Sequence, residues 1–234
     1  MIDRQNLVLV PGLCCTDRLF HEQKTALADQ FDVHITKEHL AHTDIGEIAA
    51  AILAVAPEFF ALGGLSFGGY ICFEIWRQAP ARVTHLALMN TSAAGDDEKK
   101  VAARRDLINL AENGRFLGIP DRLWPQFIDQ SRHQDTYLIE TIKKMVLDVG
   151  LKGFLRQQKA IMSRPDSLQT LTTISCPTLV LVGRNDERTP LHDAEVIHNG
   201  IPGSELVILE DCGHLSSMEQ PAAVSSHLRE LLQH

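Results

Sequence analysis

In this 234-residue chain, Gly64-Leu65-Ser66-Phe67-Gly68-Gly69 sets a serine among glycines, directly after an apolar run and before a helix-forming stretch. A strand that turns into a helix within a few residues strains the serine backbone, and flanking glycines leave room for the turn. The Ser66 hydroxyl would then stand above the carboxyl edge of a sheet, where a helix N-terminus favours developing negative charge. A hydroxyl is a weak nucleophile and needs a base. Of eleven histidines, His214 stands out, because Asp211-Cys212-Gly213-His214 follows the last expected strand and opens at the same sheet edge. His192 is its main competitor, and His85 falls in a strand. The base needs an acid that fixes its tautomer. Asp186, in Gly183-Arg184-Asn185-Asp186, has the position for that role. Glu187 is its rival, and Asp211 lies too near His214 in sequence. A serine, a base and an acid so arranged perform acyl transfer.

Such a set works only if the strands end together. Residues 7–10, 31–35, 59–65 and 83–89 read as strands, separated by helices from Thr16 or Asp17 to about 30, over 45–56 and over 66–78. Alternation of this kind calls for a parallel sheet flanked by helices. From 93 to 167 no strand is legible. Leu138, Ile142, Met145 and Val149 lie on one helical face, and the habit continues through Phe154 and Met162, which predicts three or four helices. These pack on the sheet or cover a site. The sheet pattern resumes at 177–182 and 205–209, with helices over 191–199 and 219–232.

The segments at 11–15, 64–69, 183–186 and 211–214, in the order Ser66, Asp186, His214, resemble the α/β-hydrolase superfamily, in particular small carboxylesterase-like members with a helical cap. The resemblance runs over nearly the whole chain. It implies an α/β fold of three layers, with a mostly parallel sheet of about six strands. The core would be 1–92 and 168–234, and the cap 93–167. It implies an oxyanion hole made by the backbone N–H groups of Leu13 and Phe67. Many members carry His-Gly where this chain has Pro11-Gly12, and proline offers neither an N–H nor an imidazole. Only about six residues precede the first strand, which leaves no room for the family's leading hairpin.

The expected activity is that of a serine hydrolase cleaving small or medium apolar esters through an acyl-enzyme, with no cofactor and no metal. Enol-lactone, thioester or carbon–carbon hydrolysis on the same three residues is the alternative, and a ligand-binding receptor on a hydrolase scaffold is the alternative of another class. Cys14, Phe116, Trp124, Tyr137, Met145, Phe154 and Leu215 are candidates to line the pocket; the aromatic residues and Met145 could equally form the insertion's own core. Arg115 or Arg156 could clamp an anion. Cys14-Cys15 reads as a pair of small side chains rather than as a catalytic thiol.

A formal net charge of −8 argues against nucleic acid as a partner. No apolar run approaches a membrane span. The N-terminus lacks the order of a signal peptide, and five cysteines suggest no disulfide framework. The expectation is a cytoplasmic protein, monomer or homodimer, acting on a small-molecule ester.

Overall fold

The apolar runs of the sequence become the strands of a single sheet. The computed structural model describes residues 4–233. The strands are β1 (Gln5–Val10), β2 (Phe31–Ile35), β3 (Phe60–Leu65), β4 (Val83–Met89), β5 (Thr178–Gly183) and β6 (Glu205–Leu209). They lie in the order β2-β1-β3-β4-β5-β6, and every neighbouring pair is parallel. β3 and β5 are buried along their whole length, which is why they read as apolar runs, broken in β5 only by Thr178. The edge strand β2 alternates buried and exposed residues.

The helices that alternate with the first strands are α1 (His21–Leu27), α2 (Ile45–Val55) and α3 (Phe67–Gln78). Between β4 and β5 come α4 (Glu98–Leu110), α5 (Ile119–Leu123), α6 (Thr136–Ser163) and α7 (Leu168–Leu171), joined by short turns. No strand forms there, as the sequence reading expects. The chain closes with α8 (Leu191–Gly200), α9 (Ser216–Glu219) and α10 (Pro221–Leu232). The path runs outward from β1 to β2, then reverses across β1 to β3 and onward. Right-handed crossovers therefore put α1 on one face and α2 and α3 on the other. The contacts agree, since α1 packs on α10 and α2 on α3. The reversal lies between β1 and β3, and the crevice outside their carboxyl ends is where such sheets bind ligands.

Three local departures have physical causes. The first helix begins as a tight turn over Asp17–Phe20, which Thr16 caps by accepting from the Arg18 N–H. The helix expected over 219–232 is split at Gln220 (φ −131°, ψ 62°), because a residue before proline is pushed out of the helical region. α6 breaks at Gly150, whose φ of 69° only glycine adopts without strain.

The sheet centre and α3 meet at backbone distance. A Cβ on Gly68 would collide with the Val10 carbonyl, and one on Gly64 with the Gly68 backbone. Gly68→Ala is expected to destabilise the fold by at least about 3 kcal/mol, because backbone rather than a yielding side chain is in the way. Chemical denaturation measures this, and a loss under about 1 kcal/mol would contradict the packing described.

Candidate active site

Ser66 stands between the end of β3 and the start of α3, with φ 58° and ψ −116°. This conformation is strained for a residue with a side chain, at a cost of about 1–3 kcal/mol. Neighbouring groups hold it there. The Ser66 N–H donates to Met89 O at 3.0 Å, and its carbonyl accepts from Gly69 N–H at 2.9 Å and from Thr91 Oγ1 at 2.8 Å.

Asp186 lies after β5 and is 4% exposed. Its carboxylate is ringed by donors. Asn90 Nδ2 and Thr189 Oγ1 donate to Oδ2 at 2.9 and 2.8 Å, and the N–H groups of Arg188 and Thr189 donate to Oδ1 at 2.8 and 3.0 Å. Burial pushes the carboxyl up. His214, Asn90 and the Thr189 amide pull it further down, to about 2. The ionised group only accepts, so His214 Nδ1, 2.8 Å from Oδ2, carries its hydrogen toward Asp186. Nε2 is then the acceptor for Ser66 Oγ, 2.9 Å away. An uninterrupted hydrogen-bond chain thus runs from serine through imidazole to carboxylate. The rivals lie elsewhere: Glu187, His192 and Asp211 are exposed.

The loop bearing His214 is braced from below. Glu219 is buried, which pushes its carboxyl up, and it accepts from Gly213 N–H at 3.1 Å and from Asp129 N–H at 2.7 Å. Asn90 Nδ2 donates to Gly213 O at 3.0 Å, and Asn90 Oδ1 accepts from Ser216 Oγ at 2.6 Å. The Phe127 ring packs on His214 at 5.8 Å between centroids, and Leu215 N–H donates to Phe127 O. Part of the helical insertion is therefore built against the histidine.

A narrow cavity of about 40 Å³, room for a few water molecules, opens over Ser66. Leu13, Cys15, Phe67, Tyr70, Phe127 and Leu215 are on its wall. The Leu13 and Phe67 N–H groups make no turn, cap or side-chain hydrogen bond among the described residues. Two such amides beside a serine hydroxyl can receive an oxyanion.

Of the other pocket candidates, Leu215 lines the cavity but the rest do not. Cys14 (φ 59°) is turned beneath the loop, its N–H donating to Gln157 Oε1 at 2.9 Å, and Cys15 takes the wall position. Phe116 and Phe154 pack against each other with tilted rings at 5.9 Å, Trp124 meets His133 edge-on, and Met145 is buried in α6. Tyr137 is 72% exposed, because the first turn of α6 points it outward. Arg115 and Arg156 are exposed as well. The sequence does not single out Asn90, Thr189, Glu219, Arg104 or Arg188 as site residues. Asn90 had a signal, since Asn90-Thr91-Ser92 is a sudden polar cluster after the apolar β4. Glu219 had none, because it acts through a fold-back that only the split after α9 creates.

The profile of the Alpha/beta hydrolase family matches residues 7–227. A pimeloyl-[acyl-carrier protein] methyl ester esterase of Vibrio campbellii is 26% identical over 96% of this chain and 93% of its own length. The structure of a thermophilic esterase from Thermogutta terrifontis, with malate bound, superposes with a TM-score of 0.88 at 28% identity, covering 98% of this chain and 89% of that one. An enol-lactonase from Burkholderia xenovorans reaches a TM-score of 0.90 at 20% identity, covering 99% of this chain and 92% of that one, and it bears on the fold alone. Among the described residues no helix is long and apolar enough to cross a membrane.

A carboxyl held near 2, against about 3.9 unfolded, contributes on the order of 2 kcal/mol of stability at neutral pH. That contribution is fully present above about pH 4 and is lost as the pH falls through about 2. Carboxyl ¹³C shifts of aspartate-labelled protein report the titration, and the Asp186 signal is expected to stay ionised at pH 3 while exposed aspartates titrate near 4. A midpoint at 4 or above for Asp186 would contradict the donor ring.

Proposed function

The chain belongs to the Alpha/beta hydrolase family, and from that premise we propose that it hydrolyses carboxylic esters through Ser66, His214 and Asp186. The observation that carries this reading is the continuous hydrogen-bond chain from Ser66 Oγ to the buried Asp186 carboxylate, at 2.9 and 2.8 Å, on the wall of a cavity. The esterases of Vibrio and Thermogutta support ester chemistry in relatives of similar length.

In this mechanism His214 Nε2 takes the Ser66 proton as Oγ attacks the ester carbonyl carbon. The carbonyl oxygen becomes an oxyanion held by the Leu13 and Phe67 amides. One donor of this kind is typically worth about 10²–10³ in kcat. Asp186 remains ionised and stabilises the imidazolium. The tetrahedral intermediate collapses, and the alkoxide leaves with the proton from His214. Water, deprotonated by His214, then cleaves the acyl-enzyme and restores Ser66. A lactone is a cyclic ester and would follow the same steps, its alcohol staying tethered.

Residues 93–167 act in this reading as a cap that shapes the substrate space. Arg104, Phe127 and Ile161 reach the cavity from it, while its aromatic stripe holds it together.

The test is a panel of p-nitrophenyl esters of increasing acyl length, together with a small lactone. Ser66→Ala is expected to lower kcat/KM by at least about 10⁴, His214→Ala by a comparable factor, and Asp186→Asn by about 10²–10⁴, because the three act as a unit. Activity that survives Ser66→Ala, or a wild type inert on every ester, would contradict the proposal. Greater damage from Glu187→Gln than from Asp186→Asn would contradict the acid assignment.

A further inference from the structure

Two guanidinium groups stand on the wall of the Ser66 cavity: Arg104, from α4, and Arg188, two residues past Asp186. They differ in what balances them. Arg104 is paired with Asp96, and that carboxylate also takes Arg164 Nη2 at 2.9 Å. Arg164 lies over the Tyr70 ring, 4.0 Å from its centroid, and Tyr70 itself lines the cavity. A single buried carboxylate therefore serves two arginines. Arg188 forms no ion pair among the described residues, and its side chain donates only to the neutral Gln126 Oε1, at 2.8 Å. The other carboxylate facing it, Asp186, is already committed to His214, Asn90 and Thr189.

A half-buried cation without a counterion is costly, and a ligand anion would relieve that cost. Burial pushes the Arg188 guanidinium below its ordinary value, and Arg104 pushes the same way. The insertion adds a favourable background. Residues 93–167 hold thirteen Lys and Arg against eleven Asp and Glu, in a chain whose net charge is −8.

We infer that the ester substrate carries a carboxylate of its own, a half-ester of a short dicarboxylic acid, with that group seated on Arg188 beside Arg104 while its ester carbonyl meets Ser66. The guanidinium fork suits a carboxylate, which it can hold through two parallel hydrogen bonds. The inference rests on the Ser66 reading above and changes its substrate from an apolar ester to an anionic one.

The test compares kcat/KM for p-nitrophenyl butyrate, mono-p-nitrophenyl glutarate and 4-(butyryloxy)benzoate. The second compound puts the carboxylate on the acyl side and the third on the alcohol side. The glutarate is expected to exceed the neutral ester by at least about tenfold, mainly through KM, with the margin shrinking as salt rises. Arg188→Gln is expected to reduce that ratio by about tenfold or more, and Arg188→Lys to keep part of it. Free glutarate should inhibit the wild type competitively, with weaker inhibition at high salt, which needs no variant to fold. A ratio near one in the wild type, a preference for the benzoate alone, or a ratio unchanged in folded Arg188→Gln would overturn the inference. If Ser66→Ala abolishes all three activities, such a failure belongs to the carboxylate inference alone. If Ser66→Ala retains them, the Ser66 reading falls and this inference with it.

Discussion

A carboxylate taken out of water stays ionised only where donors replace the water. Asp186 meets that condition with donors from three loops at the carboxyl edge of the sheet: Asn90 after β4, Arg188 and Thr189 after β5, and His214 after β6. Removing a partner from such a cluster would leave a buried charge uncompensated, at a cost of several kcal/mol. The cluster therefore fixes the relative positions of three strand ends. It also sets the tautomer of His214, and through it the direction in which the Ser66 proton can move.

The other half of the site depends on closeness rather than charge. Gly64 and Gly68 let α3 start against the end of β1, and this puts Ser66 beside the loop that carries Leu13. Sheet order explains why these two loops are neighbours. β1 and β3 pair directly although β2 lies between them in sequence, so the crevice falls where the chain reverses direction across the sheet. The strain at Ser66 is sustained by bonds to Met89 and Thr91 on β4 and just beyond it.

Much of this was legible in the sequence, for identifiable reasons. Strands buried on both faces read as apolar runs, and β2, β4 and β6 were bounded to the residue. The residues after the strands, Ser66, Asp186 and His214, were legible because a parallel sheet brings all its carboxyl ends to one edge. The cavity wall was not. Helical periodicity says that Phe116, Met145 and Phe154 face something apolar, but it cannot distinguish the inside of an insertion from the roof of a site. Tyr137 shows the same limit in reverse, because its exposure follows from the angle at which α6 begins. Neither Arg104 nor Arg188 reads as a site residue, because a surface arginine on a solvated helix and one turned over a cavity look identical in sequence. Arg188 is aimed by the turn that buries Asp186, two residues earlier.

The central claim is that Ser66 Oγ becomes covalently acylated during turnover. Rapid acid quench of the wild type with p-nitrophenyl acetate, followed by peptide mass spectrometry, reads this directly. The account expects a single acetyl adduct on the peptide containing Ser66, formed within the burst of p-nitrophenol and missing in Ser66→Ala. An adduct on Cys14, Cys15 or any other residue, or steady turnover with no adduct at Ser66, would contradict it.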